Sequence, residues 1–191
     1  IFDGWYTEPK FINKVEQIEK GSTGDITLYA KFIMNKYTLT FETNGGTRIE
    51  QVTADYGTKL NITTTRKGYE LVGWFKDSSL SLSSYYELGE TMPNENLTLY
   101  AKWSMNQYKI VYILDGGEND STNPYVYTVE TETINLKNPT KVEAIFDGWY
   151  TEPEFINKVE RIEKGSIGDI TLYAKFIMNK YTLIFETNGG T

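Results

Sequence analysis

Residues 1–47 and 145–191 are nearly the same sequence, differing only at Lys10/Glu154, Gln17/Arg161, Thr23/Ile167 and Thr40/Ile184. A chain made of near-copies folds as a series of like units, each burying its own apolar face, and not around one large core. The offset of 144 (Ile1 to Ile145) contains two shorter steps. Tyr29-Ala30-Lys31-Phe32 returns as Tyr100-Ala101-Lys102-Trp103 and again as Tyr173-Ala174-Lys175-Phe176, after 71 and then 73 residues. Asn44-Gly45-Gly46 returns as Asp115-Gly116-Gly117 and Asn188-Gly189-Gly190, and Gly4-Trp5-Tyr6 as Gly73-Trp74-Phe75 and Gly148-Trp149-Tyr150. Neighbouring units have diverged while units two apart have not, which points to duplication of a two-unit block. Full units are placed at 36–106 and 107–179, with the closing part of one unit at 1–35 and the start of another at 180–191. A longer parent chain with further copies is expected.

Within a unit the apolar period is two, the period of strands. Tyr37, Leu39 and Phe41 alternate with Thr38 and Thr40, and Tyr108-Lys109-Ile110-Val111-Tyr112 opens the next unit in the same way. Asn and Gly tolerate positive φ, so Asn-Gly-Gly after this strand predicts a turn or hairpin. A second strand is expected near 51–60, and near 125–136 in the next unit. A connecting segment follows, Thr63-Thr64-Thr65-Arg66-Lys67-Gly68 or Asn138-Pro139-Thr140-Lys141, where Pro139 ends the preceding strand and a short helical turn would fit, though periodicity does not require one. A third strand is expected over 69–75 and a closing strand over 97–103. About four strands in roughly 70 residues make a small core. The recurring aromatics supply much of it, each burying ~150–250 Å².

Only Ile33-Met34-Asn35-Lys36 and Ser104-Met105-Asn106-Gln107 join the units. Short joints without Gly/Ser or Pro runs favour a semi-stiff rod, with ~30 Å for each domain. The chain has no Cys and no His. That removes disulfides, thiolate chemistry and Cys-ligated metals, together with the commonest general acid–base group and zinc ligand. A net charge of −7 disfavours nucleic acid and anionic lipid as partners. The longest apolar run, residues 110–114, is far short of the ~20 residues of a membrane helix, so no membrane insertion is expected in this segment.

Taken together, these motifs resemble the Listeria–Bacteroides repeat family, which includes the B-repeat of bacterial internalins. The matches are Tyr37 with Asn44-Gly45-Gly46, Arg66-Lys67-Gly68-Tyr69, Gly73-Trp74-Phe75 and Leu99-Tyr100-Ala101-Lys102-Trp103. In the second unit they are Asp115-Gly116-Gly117, Pro139-Thr140-Lys141, Gly148-Trp149-Tyr150 and Leu172-Tyr173-Ala174-Lys175-Phe176. The first unit has Thr where the family has Pro, and the second reads Val142-Glu143-Ala144-Ile145 where the family has Gly-Tyr. The resemblance implies a β-rich α+β class: tandem small β-grasp-like (ubiquitin-like) domains on secreted or wall-attached bacterial proteins. It offers no catalytic residue and no cofactor.

Several residue groups have a second reading as sites. Trp5, Trp74 and Trp149 could form a sugar-stacking platform, but apolar neighbours favour core packing. Asp115-Gly116-Gly117-Glu118-Asn119-Asp120 is acidic, yet its spacing is that of a solvated turn and not of a calcium loop. Asn61, Asn96 and Asn119 begin formal glycosylation sequons. Lys–Asn isopeptide crosslinks would suit a mechanical fibre, though no triad is legible. The charged stretch 14–20 reads as an exposed face. A copied small domain is a poor frame for one preorganised catalytic cleft, which argues against an enzyme. The expectation is a spacer, stalk or filament segment that contacts neighbouring repeats and, in a filament, other copies, with a multivalent adhesin array for a host or cell-surface ligand as the alternative.

Overall fold

The computed structural model describes residues 1–186 and 188–190. The one helical element among them is a 3-10 turn at Leu82–Ser84; the rest of the regular structure is strand. The chain divides into two compact units, Ile1–Thr65 with Leu71–Trp103, and Arg66–Glu70 with the chain from Ser104 onward.

The first complete repeat opens on Lys36–Glu42 and closes on Leu97–Met105. Its five-stranded sheet runs Val52–Asp55, Lys36–Glu42, Leu97–Met105, Tyr69–Phe75, Tyr85–Tyr86. Opening and closing strands are parallel neighbours, from Leu39↔Leu97 to Glu42↔Tyr100. The second repeat repeats this plan. Tyr108–Ile113 lies parallel to Ile170–Met178 from Ile110↔Ile170 to Tyr173↔Ile113, and Val126–Tyr127, Ala144–Tyr150 and Lys158–Val159 complete the sheet. A two-stranded ribbon, Ile134–Asn135 with Arg161–Ile162, is added beside it.

A parallel pair cannot be joined by a tight turn, so the residues between opening and closing strands must cross over a sheet face. Alternation supplies the apolar side of that face. Leu39, Phe41, Leu99 and Ala101 are buried with Trp74 and Met92 in the first repeat. Ile110, Leu172 and Ala174 are buried with Tyr127, Trp149 and Ile162 in the second. Each fully buried Leu contributes about 1.5–3 kcal/mol. Ala174 is the register partner of Trp149, so a small side chain leaves room for the indole.

The stretch 1–35 forms a smaller three-stranded sheet from Phe2–Tyr6, Lys14–Val15 and Tyr29–Phe32. Its registers repeat those of the second repeat: Trp5↔Ala30 matches Trp149↔Ala174, and the irregularity between Phe2 and Gly4 matches that between Phe146 and Gly148.

Two local expectations need correction, and two alternatives left open by the sequence resolve. The Asn-Gly-Gly turn forms, but it does not make a tight hairpin. Lys36–Glu42 pairs with Val52–Asp55 only from Lys36↔Asp55 to Leu39↔Val52, leaving residues 43–51 as a long connection. The cause is Trp103, whose indole N–H donates to the Thr43 carbonyl (2.8 Å) and whose ring sits against Gly46. The strand expected at 125–136 breaks in two, because a turn closes between Thr128 and Thr131 (N–H to carbonyl, 3.1 Å). No helical turn occupies the connecting segment. The joints are shorter than expected, since the closing strand runs on to Met105 and the opening strand begins at Lys36.

Candidate functional site

The turn residues and the last aromatic of the closing strand meet at the turn end of the sheet in each complete repeat. Asn44 and Gly45 have φ of 48° and 90°, and Asp115 and Gly116 have 46° and 80°. Two successive positive values make a primed turn, closed by Gly46 N–H to Thr43 O at 3.0 Å and Gly117 N–H to Leu114 O at 2.8 Å. The Asn44 amide donates to the Ala101 carbonyl at 2.7 Å, tying the turn to the closing strand. A Cβ on Gly46 would lie 2.5 Å from the Trp103 ring, and one on Gly117 would lie 2.8 Å from Phe176. The second glycine is therefore a seat for the last aromatic of the closing strand.

Trp74 and Trp149 pack in the core. The Phe41 ring is edge-on to Trp74 at 5.1 Å, and the Tyr112 ring to Trp149 at 5.2 Å. Trp149 also donates its indole N–H to the Lys137 carbonyl at 3.0 Å. Burial pushes the Tyr112 hydroxyl up to about 12, with a smaller push from Tyr125. Trp5 is the exception and is half exposed. Tyr37 packs against the first core. Tyr100 and Tyr173 lie on the opposite sheet face, half-buried.

The signature lysine lies over an aromatic ring in all three copies: Lys31 over Tyr6 at 5.2 Å, Lys102 over Phe75 at 5.2 Å and Lys175 over Tyr150 at 5.4 Å. Two copies add an acid that sequence reasoning missed. Tyr150 donates to Asp147 at 3.0 Å, and Lys175 pairs with the same carboxylate at 3.3 Å. Tyr6, Asp3 and Lys31 repeat the arrangement at 2.6 Å and 3.2 Å. The tyrosine hydroxyl first, and the lysine second, hold Asp3 and Asp147 below the usual carboxylate range. The middle repeat has Val72 and Phe75 in place of Asp and Tyr, and Lys102 donates instead to the Leu80 carbonyl at 3.2 Å.

A second missed feature is a carboxylate that closes the next loop. Glu8 accepts the Ile12 and Asn13 amides, both at 2.6 Å, and Glu152 accepts those of Ile156 and Asn157. Asp77 closes the corresponding loop by accepting the Ser79 amide at 2.9 Å and the Ser81 hydroxyl at 3.2 Å, and the Ser79 hydroxyl leads the contacts that lower it to about 2. Each of these loops holds a residue at positive φ: Phe11, Leu80 and Phe155, at 53°, 55° and 55°. Their shared spacing within the repeat was the available signal.

The remaining candidates are engaged locally. Asp115 pairs with Lys141 at 3.0 Å, and Asp120 accepts the Thr122 amide at 2.8 Å. No group of three or more acidic side chains placed to hold a metal occurs among the described residues. Asn96 accepts the Thr38 amide at 2.8 Å, and the Asn119 amide nitrogen is buried, so a glycan at Asn119 requires rearrangement. The stretch 14–20 is exposed apart from half-buried Val15. In its copy, Ile162 is buried.

A groove recurs beside the Gly-Trp pair of each complete repeat. That of the first is about 450 Å³ and is walled by Leu60, Tyr85, Tyr86, Glu87 and Glu90. That of the second is about 330 Å³ and is walled by Leu136, Asn138, Lys158, Val159 and Glu160. Leu60/Leu136 and Glu87/Glu160 recur at equivalent positions, whereas Lys158 and Val159 stand where the first repeat has Tyr85 and Tyr86.

The family model described as the Listeria-Bacteroides repeat domain matches residues 1–31, 37–102 and 108–175. The chain is 33% identical, over its full length, to a protein of Evansella cellulosilytica provisionally named a Gly-rich membrane protein. A second protein of that organism, provisionally named a membrane protein, is 36% identical over 87% of the chain. Internalin H of Listeria monocytogenes is 31% identical over 70% of the chain. The chain spans 22%, 25% and 22% of these relatives. No solved structure matches it significantly.

Proposed function

Because the chain belongs to the Listeria–Bacteroides repeat family, we propose that it is a non-enzymatic spacer segment of an extracellular bacterial surface protein, extending in rod-like fashion and projecting another domain from the cell. The observation that carries this reading is where the likeness between neighbouring repeats resides. Shared residues build the core, the primed turn and the seat for the closing aromatic, whereas the groove wall keeps Leu60/Leu136 and Glu87/Glu160 but changes Tyr85 and Tyr86 to Lys158 and Val159. The central parallel pair with antiparallel flanks supports a β-grasp-like assignment, with irregular crossover segments where that fold carries its helix.

The alternative, a multivalent adhesin array, draws support from the recurrence of the groove itself. Deleting one 144-residue block from the intact surface protein separates the two readings. A spacer predicts a projection shortened by ~60 Å, two domains of ~30 Å, with cell or ligand binding per molecule unchanged. Unchanged projection with binding lowered in proportion to the deleted repeats would favour the array.

A further inference from the structure

One side chain covers the glycine of each Gly-Trp pair, and its chemistry differs between the repeats. A Cβ on Gly4 would collide with the stem of Lys14, and one on Gly148 with the stem of Lys158. One on Gly73 would lie 2.7 Å from the ring of Tyr85. Both lysines are held by their own copy: Lys14 lies 3.8 Å from the Asp3 carboxylate, and Lys158 donates to the Asp147 carbonyl. The first complete repeat has Val72 at the place of that acid. Its Tyr85 is fixed instead by pairing opposite Phe75, with the two rings edge-on at 5.6 Å. A lysine stem therefore suffices to cover the glycine. Covering does not account for an aromatic ring that is 53% exposed.

Tyr85 lines the groove of about 450 Å³, a volume within the range of small-ligand clefts. Lys59, Asn61, Glu87 and Glu90 line it too, and all four are exposed. None of their side chains, nor the Tyr85 hydroxyl, has a hydrogen-bond or ion-pair partner among the described residues. The groove thus offers a ring, two carboxylate acceptors, an ammonium donor and an amide that both donates and accepts. A pyranose is the complement of that set, with a C–H face for the ring and hydroxyls that donate and accept. A cationic side chain is drawn by the carboxylates but opposed by Lys59, and a polyanion is opposed by both carboxylates. We propose that the groove of the first complete repeat binds a pyranose unit of a glycan, stacked on Tyr85 with its hydroxyls bonded to Asn61, Glu87 and Glu90, and that the second repeat, with Lys158 in place of the ring, does not bind one. Trp74 lies in the floor of this groove as a core residue, so the stacking platform is Tyr85 and not the tryptophan. The site stands independently of the spacer reading, which concerns the length of the projection.

The test is a nuclear magnetic resonance titration of the 191-residue chain with cellotetraose, maltotetraose and chitotetraose, each taken about tenfold above a millimolar Kd. At least one should shift the amides of 59–62 and 85–90 saturably, and none should shift those of 134–138 and 158–160. Tyr85→Lys, which installs the side chain found at Lys14 and Lys158, should weaken binding about tenfold or more, the loss of the ring contact. An otherwise unchanged amide spectrum verifies its fold. Tyr85→Trp should keep binding within about twofold, since the indole offers the same stacking surface. No saturable shift with any of the three sugars overturns the proposal. So does binding that survives Tyr85→Lys, or an equal response in the second repeat. Hexalysine is the comparison ligand, and a response to it with none to the sugars would assign the groove to a basic peptide and overturn the glycan site.

Discussion

Trp5 and Trp149 hold the same place in two stretches that share almost every residue, yet Trp5 is 46% exposed and Trp149 is 2% exposed. Ile18 and Ile162 differ in the same direction, at 59% and 5%. Tyr6 and Tyr150 do not differ, at 6% and 7%. The contrast sorts the side chains by what buries them. Tyr6 and Tyr150 are covered from within their own stretch, by Phe11 and Lys31 or by Phe155 and Lys175. Trp149 and Ile162 need the opening strand and the Ile134–Asn135 ribbon strand, elements that lie before residue 145 and so outside their stretch. Local sequence therefore builds the Asp–Tyr–Lys cluster, while the core requires the whole repeat.

The largest expected effect sharpens that division. Trp149→Ala should cost about 3–5 kcal/mol, and Trp5→Ala less than ~1 kcal/mol, read by urea unfolding of otherwise identical chains. Equal costs would break the comparison. Next comes the aromatic seat. Gly117→Ala places a methyl 2.8 Å from Phe176 and should cost about 1–3 kcal/mol in the same assay. A smaller effect of opposite sign is expected at Glu143, whose φ of 56° falls where the first repeat has Gly68 at 77°. Glu143→Gly should stabilise the second repeat by ~1 kcal/mol, the left-handed penalty less the added chain entropy.

The smallest effect concerns acid. Asp3 and Asp147 are both held below the ordinary carboxylate value, chiefly by a tyrosine hydroxyl and then by a lysine. A depressed folded-state value stabilises the fold above the unfolded value near ~3.9 and is lost as pH falls through the lowered one. Because the cluster is local, nuclear magnetic resonance titration should find both carboxyls shifted down alike. A shift at Asp147 alone would mean that the cluster, too, depends on the complete repeat.

The repeat, the strands at 36–42 and 69–75, and the turn glycines were legible in the sequence because period-two alternation and Asn-Gly-Gly are local signals. The parallel pairing of opening and closing strands was not. Leu39 and Leu97 are register partners far apart in sequence, and nothing in either segment names the other. The long connection after Asn44-Gly45-Gly46 escaped for a similar reason, since the Trp103 ring that redirects the chain arrives from the far end of the repeat. Trp74 and Trp149 were read correctly as packing residues from their apolar neighbours. The same reasoning could not place Trp5, whose neighbours are identical and whose surroundings are not.

Hydrogen exchange followed by mass spectrometry, on a dilute sample of the single chain, puts the central claim to its most direct test. Peptides covering 23–32 and 167–176 differ only at Thr23/Ile167, which separates them by mass while the amides of 26–32 and 170–176 keep the same intrinsic exchange rates. The amides of 170–173, paired to the opening strand, should be strongly protected, while those of 26–28 should exchange close to the unfolded rate. Equal protection of the two peptides would contradict the claim that the opening strand, and not local sequence, completes each repeat.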